Sequence, residues 1–125
     1  MTTTDSFMQA LQQAEQTGNV DALVALHAPD VTLRNLTTQT WEGQDGARAF
    51  WEAYLSAFDR IRSEFTRSQE NDGLGVMEWE ATGQVKGGHE LAYRGVSLID
   101  IEDGQVKTFR TYYDSAAFVE PAASH

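Results

Sequence analysis

At 125 residues the chain is long enough for one domain with a real core and too short to divide into two. It carries 9 Lys+Arg against 19 Asp+Glu, a formal net charge of -10, which argues against nucleic acid and anionic membrane surfaces as partners, because both repel an acidic protein. It has no cysteine, which excludes a disulfide framework, a thiolate nucleophile and a cysteine metal site; its start, MTTTDSF, lacks a signal-peptide pattern and no apolar run reaches membrane-spanning length, so the expectation is a soluble, cytoplasmic protein.

The first expected element is a helix that Thr4, Asp5 or Ser6 can cap, with Phe7, Leu11 and Ala14 on one face and Gly18 as its stop. A second, short helix holds Val20, Leu23, Val24 and Leu26 and must end before Pro29, which disfavours a helical conformation at Ala28. From Val31 the pattern turns to a strand, with Val31, Leu33 and Asn35 sharing a face, and Thr37 to Glu42 reads as an irregular return. The third helix starts near Gly43 and carries a wide aromatic stripe of Ala47, Phe50, Trp51, Tyr54, Leu55 and Phe58.

The rest reads as four strands, at 61–70, 74–86, 89–102 and 105–113, separated by Asn71-Asp72-Gly73, Gly87-Gly88 and Asp103-Gly104. Asp103-Gly104 between two β-branched, apolar and aromatic runs is a strong hairpin signal, since both residues tolerate the positive φ of a tight turn. Helices followed by hairpin-linked strands predict an α+β domain, with helices on one face of an antiparallel sheet. The domain should cover residues 1–118, and the small-residue segment 119–125 is expected to be a flexible tail.

If Gly87-Gly88 and Asp103-Gly104 are both two-residue turns, cross-strand partners follow. One face then holds Met77, Trp79, Val96, Leu98, Phe109, Thr111 and Tyr113, with Arg94 opposite Tyr113. This apolar, aromatic face should meet the helices and hold any pocket. The other face holds Glu78, Glu80, Tyr93, Ser97, Arg110, Tyr112 and Asp114, and is expected to pack on a second subunit, the alternative being a solvated face with snorkelling side chains.

The order of elements, ending in DGQVKTFRTYYD, resembles the SnoaL-like and ketosteroid-isomerase-like branch of the nuclear transport factor 2 superfamily across nearly the whole chain. The resemblance implies a cone-shaped curved antiparallel sheet wrapped around three helices. It also implies a cavity that hosts isomerases, dehydratases, cyclases, epoxide hydrolases or pure binding proteins, so the fold does not select a reaction. Over HAPDVTLRN, the first-strand general-base Asp of ketosteroid isomerases falls on Asn35. Over NLTTQTWEG, the water-positioning Asn of limonene epoxide hydrolases falls on Asn35 as well, and the Tyr two residues before it is here Leu33. In FRTYYD the pocket Trp of those hydrolases becomes Phe109, and their base Asp, like that of SnoaL-type cyclases, becomes Thr111. No Arg-x-Asp occurs around Glu78 to Ala81 to complete a hydrolase site.

Other chemistry-bearing residues have structural readings beside the functional ones. Asp114 before Ser115-Ala116-Ala117-Phe118 can be a carboxylate base or a helix N-cap. Glu78 and Glu80 can raise one another's pKa or pair with Arg110. His27 can be a base or a cation at a helix C-terminus. The three histidines show no metal-ligand spacing, and neither a phosphate loop nor a nucleophile elbow is present, so no metal or cofactor is expected. The candidate pocket lining is Trp41, Tyr54, Phe58, Met77, Trp79 and Phe109, which either line a cavity for a flat apolar ligand or simply fill the core. The polar or catalytic anchors are Asn35, Thr111, Tyr113 and Arg94. The expected function is binding of a small apolar or aromatic molecule, the alternative an isomerase, cyclase, dehydratase or epoxide hydrolase with a non-standard catalytic set. A homodimer through the outer sheet face is the expected assembly.

Overall fold

The computed structural model describes residues 1–118; the expected flexible tail, 119–125, lies outside the described residues. The chain runs α1 (Thr3–Thr17), α2 (Asp21–Ala25), β1 (His27–Arg34), β2 (Thr40–Glu42), α3 (Gly43–Ser56), β3 (Phe58–Asn71), β4 (Leu74–Val85), β5 (Glu90–Glu102) and β6 (Gln105–Tyr113), then a 3₁₀ turn, Ser115–Phe118. The strands form one curved, open six-stranded sheet in the order β2-β1-β6-β5-β4-β3. All pairs are antiparallel except β1 beside β6, which is parallel. This is the expected α+β cone, with the helices on one face of the sheet.

Several boundaries differ from the expectation for local reasons. The cap of α1 is Thr2, whose hydroxyl accepts from the Asp5 backbone N–H while the Asp5 carboxylate accepts from the Thr2 N–H, a reciprocal capping box. Gly18 ends that helix in the left-handed region at φ 77°, which favours glycine there. β1 begins at His27 rather than Val31, with its register against β6 broken between His27 and Thr32 around Pro29. Phe58 opens β3 instead of closing α3, which ends at Ser56.

The register of the last three strands carries the main correction. Asp103 and Gly104 both take positive φ, 54° and 74°, and Glu102 pairs with Gln105, so this turn is a two-residue one. Between Ile101↔Val106 and Asp100↔Thr108, however, Lys107 is in excess and makes a β-bulge. At the preceding hairpin, Gln84 pairs with Glu90 and the Val85 N–H donates to the His89 carbonyl, so Lys86, Gly87 and Gly88 form a three-residue loop. Each displacement is one residue. They cancel for β6, whose Phe109, Thr111 and Tyr113 keep the predicted face, and together invert β5. Tyr93, Ser97 and Ile99 point inward with Met77 and Trp79, while Arg94, Val96 and Leu98 point outward.

The core is one face of this sheet against the helices. Phe7, Leu11 and Ala14 of α1, Leu23 and Val24 of α2, and Ala47, Phe50 and Trp51 of α3 bury against Val31, Leu33, Met77, Ile99 and Phe109. α1 is also tied to the far end of β3, where the Thr4 N–H and hydroxyl both donate to Glu70, at 2.9 and 2.6 Å. Among the described residues no helix is long and apolar enough to cross a membrane.

Candidate functional site

Inward-facing residues of β4, β5 and β6, closed over by α3, leave a cavity of about 260 Å³. All three tryptophans of the chain, Trp41, Trp51 and Trp79, line it, with Phe50, Tyr54, Phe58, Phe65, Tyr93, Phe109, Tyr113 and Phe118. The rings meet mostly edge to face, as between Trp79 and Tyr93 (5.3 Å, 88°) and between Trp41 and Phe50 (4.9 Å, 82°), a geometry that suits their quadrupoles. Gly95 lets two of these rings sit where they do: a Cβ there would stand 2.4 Å from the Tyr112 carbonyl oxygen, 2.7 Å from the Trp79 indole and 2.8 Å from the Tyr113 Cβ. A bulkier residue would displace the wall. The 3₁₀ turn brings Phe118 against Tyr93, with ring centroids 4.8 Å apart, and Asp114 accepts from the Ala116 N–H at 3.1 Å. That carboxylate therefore caps the turn.

Two polar clusters stand in this apolar space, beside the Asn35 amide and the Tyr93 and Tyr113 hydroxyls. In the first, Trp79 Nε1–H donates to Ser97 Oγ (2.9 Å), which lies 2.9 Å from Thr111 Oγ1. Ser97 and Thr111 both line the cavity. An indole N–H can only donate, so two hydroxyls share one mutual hydrogen bond and one of their protons is left over, whichever is the donor.

The second cluster centres on Glu15. One carboxylate oxygen accepts from the Tyr54 hydroxyl (2.8 Å) and the Ser63 hydroxyl (2.7 Å), the other from the Ser63 backbone N–H (2.8 Å). Tyr54 and Ser63 line the cavity, with Glu15 directly behind them. Burial pushes the Glu15 carboxyl above its ordinary value, against the pull of the Ser63 hydroxyl, the Ser63 backbone and Tyr54. Tyr54 is raised too, by burial and then by the Glu15 charge, and Tyr93 by burial and then by Tyr113. Both phenols stay neutral at physiological pH.

His27 resolves differently. It is fully buried; Nδ1 lies 2.8 Å from the Leu23 carbonyl and Nε2 3.2 Å from Trp51 Nε1. Because the indole must donate, Nε2 accepts and Nδ1–H donates to Leu23. Burial lowers its pKa to about 4, so it is a neutral structural group, not the helix-end cation expected.

Of the sequence-derived site residues, Asn35, Trp41, Tyr54, Phe58, Trp79, Phe109, Thr111 and Tyr113 line this cavity. The Asn35 side-chain oxygen accepts from the Thr37 N–H (2.9 Å) and hydroxyl (2.7 Å), so at the cavity wall it also holds a local turn. Met77 is a correction: fully buried, it packs in the core cluster and does not reach the cavity. Arg94 is another. The inversion of β5 puts it outside, opposite Glu80, in a shallow groove with Glu78, Glu80 and Tyr112. Arg110 pairs with Asp100 at 2.7 Å instead of with Glu78 or Glu80, because the Lys107 bulge places Asp100 against Thr108 on the same face.

Sequence reasoning missed Glu15, Ser63, Tyr93, Ser97 and Phe118. A signal for Glu15 existed: it stands eight residues after Phe7 and four after Leu11, on the buried stripe of α1. Tyr93, Ser97 and Ile99 alternate as an inward face in their own right, which the assumed turn lengths overrode. Among the described residues no three His, Asp or Glu side chains could together hold a metal ion.

A cone-shaped α+β chain with a curved sheet, helices inside its concave face and a hollow between them belongs to the nuclear transport factor 2-like class. Within that class, residues 7–109 match the SnoaL-like domain, and the chain belongs to that family. No curated protein matches it significantly in sequence. Similar solved structures include an NTF2-like protein of unknown function from Burkholderia pseudomallei (TM-score 0.83, 18% identity, covering 99% of this chain and 100% of that one). Another is a protein with a ketosteroid isomerase-like fold from Catenulispora acidiphila in complex with trimethylamine (0.79, 18%, 89% and 87%). A third is an epoxide hydrolase of the LEH-like type from M. tuberculosis (0.73, 14%, 92% and 85%). At these identities the likeness is one of fold.

Proposed function

We propose that the chain binds a small, largely apolar molecule of one or two rings that carries a hydrogen-bond acceptor, held in the cavity between α3 and the sheet. The observation that carries this is an aromatic hollow with a Trp79–Ser97–Thr111 cluster in its wall that has one hydroxyl proton to spare. Its volume, about 260 Å³, lies between the ~150 Å³ of an engineered cavity that takes benzene and the ~300–1,000 Å³ usual for drug-sized ligands. That supports a small ring system over a steroid-sized one. The trimethylamine complex of the similar Catenulispora protein is consistent with small ligands in this fold.

Because all three tryptophans line the cavity, intrinsic fluorescence reports occupancy. Naphthalene and 2-acetylnaphthalene should each give a saturable change at sub-millimolar concentration, with the ketone tighter. In a Trp79→Phe/Ser97→Ala/Thr111→Val triple variant, which removes every donor of the cluster and keeps Trp41 and Trp51 as reporters, the ketone's advantage should vanish. If none of the probes binds, the proposal fails.

A second reading, an isomerase, cyclase, dehydratase or epoxide hydrolase acting on a small hydrophobic substrate, is favoured by one observation: a buried carboxylate, Glu15, behind the cavity wall. Buried groups with perturbed pKa values concentrate at functional sites. Asn35 and Thr111 would then position substrate, and the base would come from α1 instead of β1 or β6. Assembly as a homodimer through the outer sheet face, where Tyr112 is 47% exposed, is part of the same proposal. Size-exclusion chromatography with light scattering tests it, and a monomer at micromolar concentration rejects it.

A further inference from the structure

The cavity has two polar ends of opposite character, and the second is set by a residue that does not itself line it. Tyr54 and Ser63 are wall residues, yet both of their hydroxyl protons point away from the ligand space, to the same Glu15 oxygen at 2.8 and 2.7 Å. An ionised carboxylate is acceptor-only. With those protons engaged, each hydroxyl has only lone pairs left to offer. The remaining Glu15 oxygen is held by the Ser63 backbone N–H at 2.8 Å, which fixes the carboxylate's orientation. Across the cavity, the Ser97–Thr111 pair has the opposite surplus, one proton without a partner.

We propose that ionised Glu15 sets Tyr54 and Ser63 as hydrogen-bond acceptors toward the cavity, so that the pocket selects a ligand carrying a hydroxyl or amine donor as well as an acceptor. Removing the charge reverses that polarity. In Glu15→Gln the amide oxygen must face the Ser63 backbone N–H, which can only donate. The amide NH₂ then faces Tyr54 and Ser63 with two protons for two oxygens. Both hydroxyl protons are released toward the cavity, and its acceptor end becomes a donor end. Protonating Glu15 acts in the same direction by returning one hydroxyl proton to the cavity. The titratable groups coupled to Glu15 are Tyr54 from α3, which hydrogen-bonds it, and Tyr93 from β5, whose phenol its charge raises. Both remain neutral as pH falls, so Glu15 alone among the three changes charge. The inference rests on the cavity being a ligand site, and the probe set separates the two claims.

The experiment measures the affinities of naphthalene, 2-naphthol and 2-methoxynaphthalene by tryptophan fluorescence, with circular dichroism confirming the fold of each variant. Naphthol and its methyl ether both accept a hydrogen bond, but only naphthol donates one. Wild type should favour naphthol on the order of tenfold, the worth of one hydrogen bond to a charge-backed acceptor. Glu15→Gln should abolish or invert the preference, and Tyr54→Phe should reduce it. Should Glu15→Gln fail to fold, wild type titrated downward from neutral pH to the ordinary carboxyl value of 4.5 gives the same comparison, with the preference shrinking as Glu15 takes up its proton. Naphthalene binding with equal affinities for naphthol and its ether would overturn this inference and leave the cavity reading standing. Failure of all three probes would overturn both.

Discussion

His27 and Glu15 are two ionisable side chains enclosed by aromatic rings in neighbouring parts of one interior. Around His27, Phe7 and Trp51 close at centroid distances of 6.1 and 6.2 Å, and both ring nitrogens have protein partners. The group is neutral and nothing is left to bind. Around Glu15, the wall opens onto a cavity and the carboxylate keeps three donors fixed on itself. The first arrangement serves packing. The second holds a charge that burial disfavours, and its effect is to orient hydroxyls toward empty space. Aromatic side chains thus give a filled core in one region and a polarised hollow in the other.

The comparison is broken most directly by truncating the filled side. Phe7 is fully buried and packs on Phe109 at 5.6 Å and Trp51 at 5.9 Å, so Phe7→Ala should destabilise by about 3–5 kcal/mol. Urea denaturation checks it, and a loss under about 1 kcal/mol would mean that this region is not close-packed.

The next effect comes from pH. The folded His27 pKa, about 4, lies below its ordinary 6.5, so the unfolded chain takes up the proton first. Stability from this group is fully present above about 6.5 and is lost as pH falls toward 4, about 3 kcal/mol in all. Glu15 has the opposite sign. Its folded pKa is raised, so the native state binds the proton first and stability rises as pH falls through that raised value toward the ordinary 4.5. The stability–pH slope of a His27→Gln variant, less stable throughout, should therefore be shallower or inverted over this window. An unchanged slope would show that His27 does not titrate on unfolding.

The smallest effect sharpens the contrast. Glu15→Gln should leave the melting temperature at neutral pH unchanged or raised, because it removes a charge whose burial is not fully offset. A clear drop by differential scanning calorimetry would make Glu15 a structural group like His27.

Much of this organisation is written locally. Asp103-Gly104 announced its turn, and it is found with both residues at positive φ. The apolar spacing of Phe7, Leu11 and Ala14 is the buried face of α1. The face of β5 was not legible from the turns, because the bulge at Lys107 and the extra loop residue at Lys86–Gly88 are each one residue long. With a side-chain period of two, one residue inverts a strand. Arg94 moved out of the site, and Tyr93 and Ser97 moved in, for that reason alone. Glu15 is hard to read from sequence because a lone carboxylate on a helix ordinarily faces water, although its spacing puts it on the buried stripe.

Local sequence sets the order and type of elements and the aromatic supply of the interior. These follow from periodicity, turn chemistry and residue identity, which are properties of short stretches of chain. Tertiary structure decided the rest: that Gly95 leaves Trp79 its space, that Met77 fills core while Trp79 borders a hollow, and that Tyr54 and Ser63 both turn their protons to Glu15. A cavity and the hydrogen-bond polarity of its wall depend on how residues some 40 to 50 positions apart meet, and no local pattern contains that.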